Sequence, residues 1–426
     1  MFNKTNTSLK EKSYVSTYTL SFYAFLLVTF ILIARPQDVY PSIQLFRPVL
    51  FFSLINLILV CAQGMNPITI QLKQSISRKY VYLYGLMLLG IPFAIYRRGA
   101  FEFAVFQYSI NILYMGLFIL HVNSYKRLRA LLFTLVFSVL FFGMASQSLG
   151  GIEAGRYSFG EMFDPNDLAY VFVSLMPFSV IFILERGNTA FKIMAMLTIG
   201  ISIKLILSTG SRGGFIGLII ILGLFFVTKL SPFTRPIKFI LCISILFITI
   251  ANKEMIFNER ISSLMNIGKD YNITDEEGRL KLWGKGVEFA IKRPFTGIGA
   301  QCFPAAIGLN RKQMSGQERW QAIHNSYLEI ASELGLIAFV IFILMIKESF
   351  KVFKMIRKID NNIINAKEIK MIASVTLIAF IGHLVTALFL SQGYSILFTL
   401  FFALTTVLNI LLAMDVMAPS STRTTV

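Results

Sequence analysis

Apolar residues run through this chain in long unbroken stretches, with short polar breaks between them. Runs fall near 18–34, 46–62, 80–96, 100–120, 128–149 and 167–184. Six more follow near 190–208, 213–229, 236–252, 326–346, 370–390 and 395–414. A helix that crosses a bilayer needs about 20 mainly apolar residues, so each run predicts one span. The pattern predicts an all-α integral membrane protein of about 12 transmembrane helices. Residues 1–252 supply the first nine, 326–426 the last three and a tail, and 253–325 one long polar segment between them. No internal repeat or low-complexity tract interrupts the pattern.

Composition removes the alternative of a soluble protein. Of 426 residues, 55% are hydrophobic and 15% charged, against about 25% charged in soluble domains. The run from Tyr18 to Ala34 follows Lys4, Lys10 and Lys12, is long for a signal peptide and has no A-x-A site after it, so it reads as an uncleaved first span. Cys61, Cys242 and Cys302 have no paired spacing, which argues against a disulfide framework or a thiolate metal site.

Charge then sets the orientation. The net +18 would suggest a nucleic-acid partner in a soluble chain, but in a membrane protein Lys and Arg collect in cytoplasmic loops. With the N-terminus inside, inner segments hold 22 of the 40 basic residues and short outer loops hold 6. Both termini are therefore expected in the cytoplasm and no nucleic acid is implied. The segment 253–325 lies outside, too long for the rule to apply. Thr274 and Glu277 have the spacing of a capping box, and Leu280, Trp283, Val287 and Ile291 then recur at helical spacing until Pro294. One apolar face rimmed by Arg279, Lys281, Lys285, Lys292 and Arg293 predicts an amphipathic helix on the membrane surface.

Three outer loops carry the candidate chemistry. Gly210-Ser211-Arg212-Gly213-Gly214 places an arginine fork at a helix start, where free backbone N–H groups favour anions and glycines admit a ligand to the backbone. The other reading is a tight turn with a solvated arginine. Lys204 would align with Ser208 and Arg212 if the helix ran on, or it snorkels to the surface. His324, Asn325, Ser326 and Tyr327 precede the tenth run. There an imidazole can accept a proton near neutral pH, or serve as a polar entry to a helix capped by Ser326 and Glu329. Glu329 and Glu333 share a helix face and would orient the imidazole or bond between helices. In Asp164-Pro165-Asn166-Asp167, capping by Asn166 or Asp167 outweighs a metal reading. Arg156 is a further ligand-binding candidate. His121 and His383 read as incidental or structural, Gly297-Ile298-Gly299 as an isolated glycine pair, and no Walker A spacing occurs. Arginines, a lysine and a histidine without a metal motif point to phosphate-centred transfer: cations hold an anionic leaving group and the histidine deprotonates a hydroxyl.

These residues resemble the O-antigen ligase and polysaccharide polymerase superfamily. The likeness rests on Ser211-Arg212-Gly213-Gly214, on Arg279 with Trp283, on Pro294 to Gly299, and on His324 to Leu328. Asp164 to Ala169 also fits, and the likeness covers about 150 to 415. It implies a GT-C-like membrane glycosyltransferase without metal or cofactor, in a bacterial cytoplasmic membrane with its active site on the periplasmic face. Such an enzyme takes a glycan from an undecaprenyl-diphosphate carrier and joins it, usually with inversion, to the hydroxyl of an acceptor glycolipid or glycan. By position, the resemblance gives Arg212 and Arg279 the diphosphate and His324 the acceptor. Arg156, Lys204, Ser211 and Asn325 complete the expected substrate-binding set. Arg35 to Pro41 is similar to the start of exosortase-associated O-glycosylation ligases. A polymerase or a protein O-oligosaccharyltransferase would differ only in acceptor. A secondary transporter or flippase would instead show paired repeats and mid-membrane charge.

Overall fold

The computed structural model describes residues 19–153, 156–159, 164–185, 187–227, 278–315, 320–361 and 365–417. The chain is a mainly helical, multi-pass membrane protein. Among the described residues six helical stretches are long and apolar enough to cross a bilayer: Arg97–His121, Tyr125–Leu149, Pro165–Leu184, Thr189–Ser208, Ala366–Ala387 and Ile396–Val416. Leu20–Ala34 and Arg212–Phe226 are apolar but shorter, and Pro48–Ala62 with Pro67–Lys73 forms a pair bent by 82°. The bend follows from sequence: the chain breaks at Gly64, and Asn66 caps the second helix by accepting from the Ile68 and Thr69 amides. Gly151–Glu153 and Arg156–Ser158 pair as a short antiparallel hairpin. The expected span 236–252 and the Thr274–Glu277 box lie outside the described residues.

Lipid cannot hydrogen-bond a backbone, so buried polar side chains find partners within the bundle. Thr29, Ser146 and Thr376 each bond the carbonyl four residues back. His121 pairs with Asn56 at 2.9 Å, and His383 with Ser174 at 3.0 Å across two helices. Small residues let helices approach. A Cβ at Gly213 would stand 2.9 Å from that of Phe389, and one at Gly214 or Gly217 would stand 2.5 Å from Ala169 or Thr386. Gly213 and Gly214, expected to admit a ligand, therefore admit neighbouring helices.

The expected tenth span, 326–346, is not one helix. Ser326–Leu334 stops, and Leu336–Arg357 begins after Gly335, whose φ is +87°. The segment 294–299 packs against the break. The Leu336 amide donates to the Pro294 carbonyl at 2.7 Å, and a Cβ at Gly335 would meet that carbonyl at 2.7 Å. Ile298 and Gly299 amides then satisfy the last carbonyls of the short helix, Ser332 and Glu333, at 3.0 and 2.9 Å. A side chain at Gly297 would overlap the Glu333 backbone. The Gly297–Gly299 pair thus has a definite role as a docking strand.

The helix Arg279–Lys292 forms as its periodicity demands, with two apolar stripes rather than one. Leu282, Gly286 and Phe289 are buried, Leu282 and Phe289 in a small core with Ile298, Cys302, Phe303 and Ile323. Of the stripe expected at the membrane surface, Leu280, Val287 and Ile291 stay exposed, while Trp283 turns inward and packs against that core.

Candidate functional site

Three polar segments meet at one end of the bundle. The first is the start of Pro165–Leu175. Asp164, not Asn166 or Asp167 as expected, is its N-cap, accepting from the Asn166 and Asp167 amides at 2.6 and 2.9 Å. The cap sits one residue ahead of proline, whose fixed φ and missing N–H suit the first helical position. Asp167 is thereby free to point sideways, where it accepts from Gln392 Nε2 at 2.9 Å.

The second segment is the turn His324–Ser326. His324 has a φ of +51°, a left-handed backbone that a side-chain-bearing residue adopts at a cost of about 1–3 kcal/mol. Its amide donates to Ser391 Oγ at 2.8 Å, which fixes the turn. Asn325 caps the helix Ser326–Leu334 through the Tyr327 and Leu328 amides, both at 3.0 Å. This corrects the Ser326–Glu329 box: the Ser326 hydroxyl donates instead to the Leu390 carbonyl at 2.7 Å. Asn325 therefore shapes the turn through its side chain.

The third segment, Leu390 to Tyr394, joins the last two long helices. Ser326 Oγ accepts from the Gln392 amide at 3.0 Å, and Glu329 from the Gly393 amide at 2.7 Å. Glu333 accepts from the Gln301 and Phe303 amides at 2.7 and 2.9 Å and from the Tyr394 hydroxyl at 2.8 Å. The two glutamates bond between elements: Glu329 ties the short helix to the 390–394 loop, and Glu333 also caps the helix Phe303–Ser315.

Around these contacts lies a cavity of about 270 Å³, lined by Asp164, Asp167, His324, Glu329, Glu333 and Gln392 among others. His324 is half-buried on its wall. Burial and the Arg279 cation both push the imidazole pKa below its ordinary value, with Asp164 acting in the opposite sense. A lowered pKa leaves the ring neutral at pH 7, the form that accepts a proton. Arg279 opens the helix Arg279–Lys292 and is half-buried. Arg279 and Asp164, opposite in charge, both act on the imidazole.

Arg212 opens Arg212–Val227 as expected, at the end where that helix touches Phe389, two residues before Ser391. It is half-buried, and Ser211 Oγ beside it accepts from the Gly214 amide at 3.2 Å, an N-cap contact. Thr189–Ser208 ends before Thr209 and Gly210, so Lys204, Ser208 and Arg212 do not share one helix; Lys204 is exposed. Arg156 occupies the second hairpin strand, pairing with Glu153 in register; its side chain lies outside the described set. Among the described residues no three His, Cys, Asp or Glu side chains converge as metal ligands would.

Sequence reasoning missed Gln301 and Ser391 to Tyr394. A signal existed for the latter: Ser-Gln-Gly-Tyr interrupts two apolar runs.

Comparison with known proteins covers part of this site. Residues 195–343 match the family described as O-Antigen ligase (Wzy_C). Over 135 residues the chain is 29% identical to the exopolysaccharide production protein ExoQ of Rhizobium meliloti (strain 1021). That match covers 30% of this chain and 30% of the relative, so the chain aligns with less than a third of that protein's length. The segment that matches this family, 195–343, carries Arg212, Arg279 and His324.

Proposed function

We propose that this protein is a membrane glycosyltransferase of O-antigen-ligase type. It moves a glycan from an undecaprenyl-diphosphate carrier to an acceptor hydroxyl on the outer face of a bacterial cytoplasmic membrane. The observation that carries the reading is the half-buried imidazole of His324, on a cavity wall with Arg279 and Asp164 as its charged neighbours. The acceptor oxygen attacks the anomeric carbon, and its proton passes to the neutral His324. The bond from that carbon to the diphosphate oxygen breaks, and its electron pair leaves with the carrier. Arg212 and Arg279 meet the charge that develops on the diphosphate, the kind of stabilisation worth about a hundred- to a thousandfold in rate per donor. Attack opposite the leaving group inverts the anomeric centre, and the arginines do this without a metal. Twelve spans in a GT-C-like arrangement, with both termini cytoplasmic, put this chemistry on the periplasmic side. Arg156 and Lys204 extend the cationic surface toward the carrier, and Ser211 and Asn325 hold the two helix starts in place. The acceptor is a surface glycolipid or glycan.

The test is deletion of the gene and complementation with Arg212→Ala, Arg279→Ala or His324→Ala, with glycan resolved on gels. The expected result is long glycan held on the carrier and none on the final acceptor. Normal glycan with all three variants would overturn the assignment. Loss of a polymerase would instead leave single repeat units attached to the final acceptor.

A further inference from the structure

A second cavity, of about 420 Å³, adjoins the first and shares Gln301, Ser391 and Gln392 with it. Its volume falls within the roughly 300–1,000 Å³ usual for small-molecule sites. We infer that this cavity is the subsite for an uncharged sugar ring of the acceptor, with the nucleophilic hydroxyl delivered past Gln392 and Ser391 to His324.

The lining chemistry supports a carbohydrate. Gln107 brings an amide to the lining; the Asn111 amide donates to the Tyr394 carbonyl and the Ser395 hydroxyl bonds the Tyr170 hydroxyl, both at 2.9 Å, so these two offer a ring of hydroxyls only their remaining donor and acceptor capacity. Phe103, Tyr108 and Tyr394 supply an aromatic wall. Phe103 and Tyr108 each stand edge-on to Tyr394, with ring centroids 5.1 and 5.8 Å from it. Aromatic faces carry negative potential, and the polarised C–H face of a sugar complements them. A polyprenyl chain would need neither the amides nor the serine.

Charge separates this cavity from the diphosphate. The arginine on its wall, Arg35, is held by Asp38 through two hydrogen bonds of 2.6 and 3.0 Å. That bidentate pair neutralises the guanidinium, so the wall offers a neutral ligand no excess positive field. The Arg35–Pro41 stretch that stands out in the sequence thus acquires a place: Arg35 is left-handed at φ +47° and turns the chain from the first helix over the cavity. A second irregularity lies opposite. Phe103–Tyr108 is wound as a π-helix, a geometry frequent at functional sites because it re-aims side chains. It presents Phe103, Gln107 and Tyr108 to the cavity.

The acceptor assignment rests on the glycosyl-transfer reading above, whereas the presence of a sugar subsite does not. The test uses purified full-length protein in nanodiscs and four probes: the methyl glycosides of glucose, galactose, mannose and N-acetylglucosamine. Saturation-transfer NMR is read for wild type, Gln107→Trp, Gln107→Ala and Arg212→Ala. Transfer to at least one glycoside is expected in wild type and in Arg212→Ala. It should fall at least tenfold in Gln107→Trp, which fills the cavity from an exposed position, and severalfold in Gln107→Ala. Unchanged transfer in both Gln107 variants, or none from any probe in wild type, would overturn the inference. With undecaprenyl-diphosphate-linked glycan preloaded, signal that persists supports an acceptor site, and displaced signal overturns that assignment. Complementation by Arg212→Ala tests the transferase reading separately, so the two fail independently.

Discussion

Replacing Glu333 with alanine should undock the outer segment while leaving the bundle folded. The Glu333 carboxylate accepts from three donors, the Gln301 and Phe303 amides and the Tyr394 hydroxyl, and its residue is 1% exposed. Each buried donor left unpaired costs about 1–3 kcal/mol. Water entering the new void recovers part of that, so a net loss of about 3 kcal/mol is a lower figure for Glu333→Ala. A glutamine in its place would keep an oxygen for Gln301 and Tyr394 but turn an NH₂ toward the Phe303 amide, so Glu333→Gln should lose about one bond, or 1–3 kcal/mol. The lost energy falls on the contact between 297–303 and the short helix, because the backbone bonds from Ile298 and Gly299 to Ser332 and Glu333 run beside it. At tenfold per roughly 1.4 kcal/mol, amide exchange through local opening should rise about a hundredfold for Glu333→Ala. Deuterium uptake by a peptide covering 298–303 reads this directly, with 396–417 as the internal control. Wild-type uptake at 298–303 in a folded Glu333→Ala protein would refute the capping argument.

Other expectations concern the site. Alanine at His324 should slow transfer by about a hundred- to ten-thousandfold, the usual worth of a general base, in a single-turnover assay. The base works unprotonated and its pKa lies below the ordinary imidazole value. The rate should therefore hold across neutral pH and fall only as pH drops through that lowered pKa. Asp164→Asn removes the anion that favours imidazolium and should move this acid limb to still lower pH; the residual activity of Arg279→Gln should show the limb moved toward neutral. Gly297→Ala needs a left-handed backbone at φ +63° and overlaps the Glu333 carbonyl, so thermal unfolding should begin lower and 298–303 should exchange faster. Loss of the Asn325 cap in Asn325→Ala should cost about 1 kcal/mol, read as a lower melting temperature in nanodiscs.

Runs of apolar residues carried the helical class and the approximate positions of the six long apolar helices, because lipid demands length and apolarity from every span. Where a polar group is satisfied was less legible. Asp164, Asn166 and Asp167 are all competent caps, and only the backbone decides that Asp164 serves and Asp167 turns to Gln392. Likewise Ser326 and Glu329 have box spacing, but Leu390 and Gly393 pull them away and leave the cap to Asn325. The break at Gly335 was not legible in its own segment, where Glu329 and Glu333 keep helical spacing up to an apolar stretch; it is met there by Pro294, forty-one residues earlier, whose carbonyl takes the Leu336 amide. Arg279 and His324 were legible as chemistry because charged and titratable groups are scarce beside apolar spans. Gln301 and Gln392 were not, since a neutral amide gains meaning only from what surrounds it.

The central claim is bond cleavage at this site, and the most direct measurement is release of undecaprenyl diphosphate by the purified protein in liposomes. Lipid-linked glycan is supplied on the face that carries His324, with an acceptor glycolipid beside it. The account expects one undecaprenyl diphosphate for each glycan transferred, in chelator as in buffer, and release slowed at least about a hundredfold with His324→Ala. Glycan that crosses the bilayer still joined to its lipid, or release undiminished in His324→Ala, would contradict it.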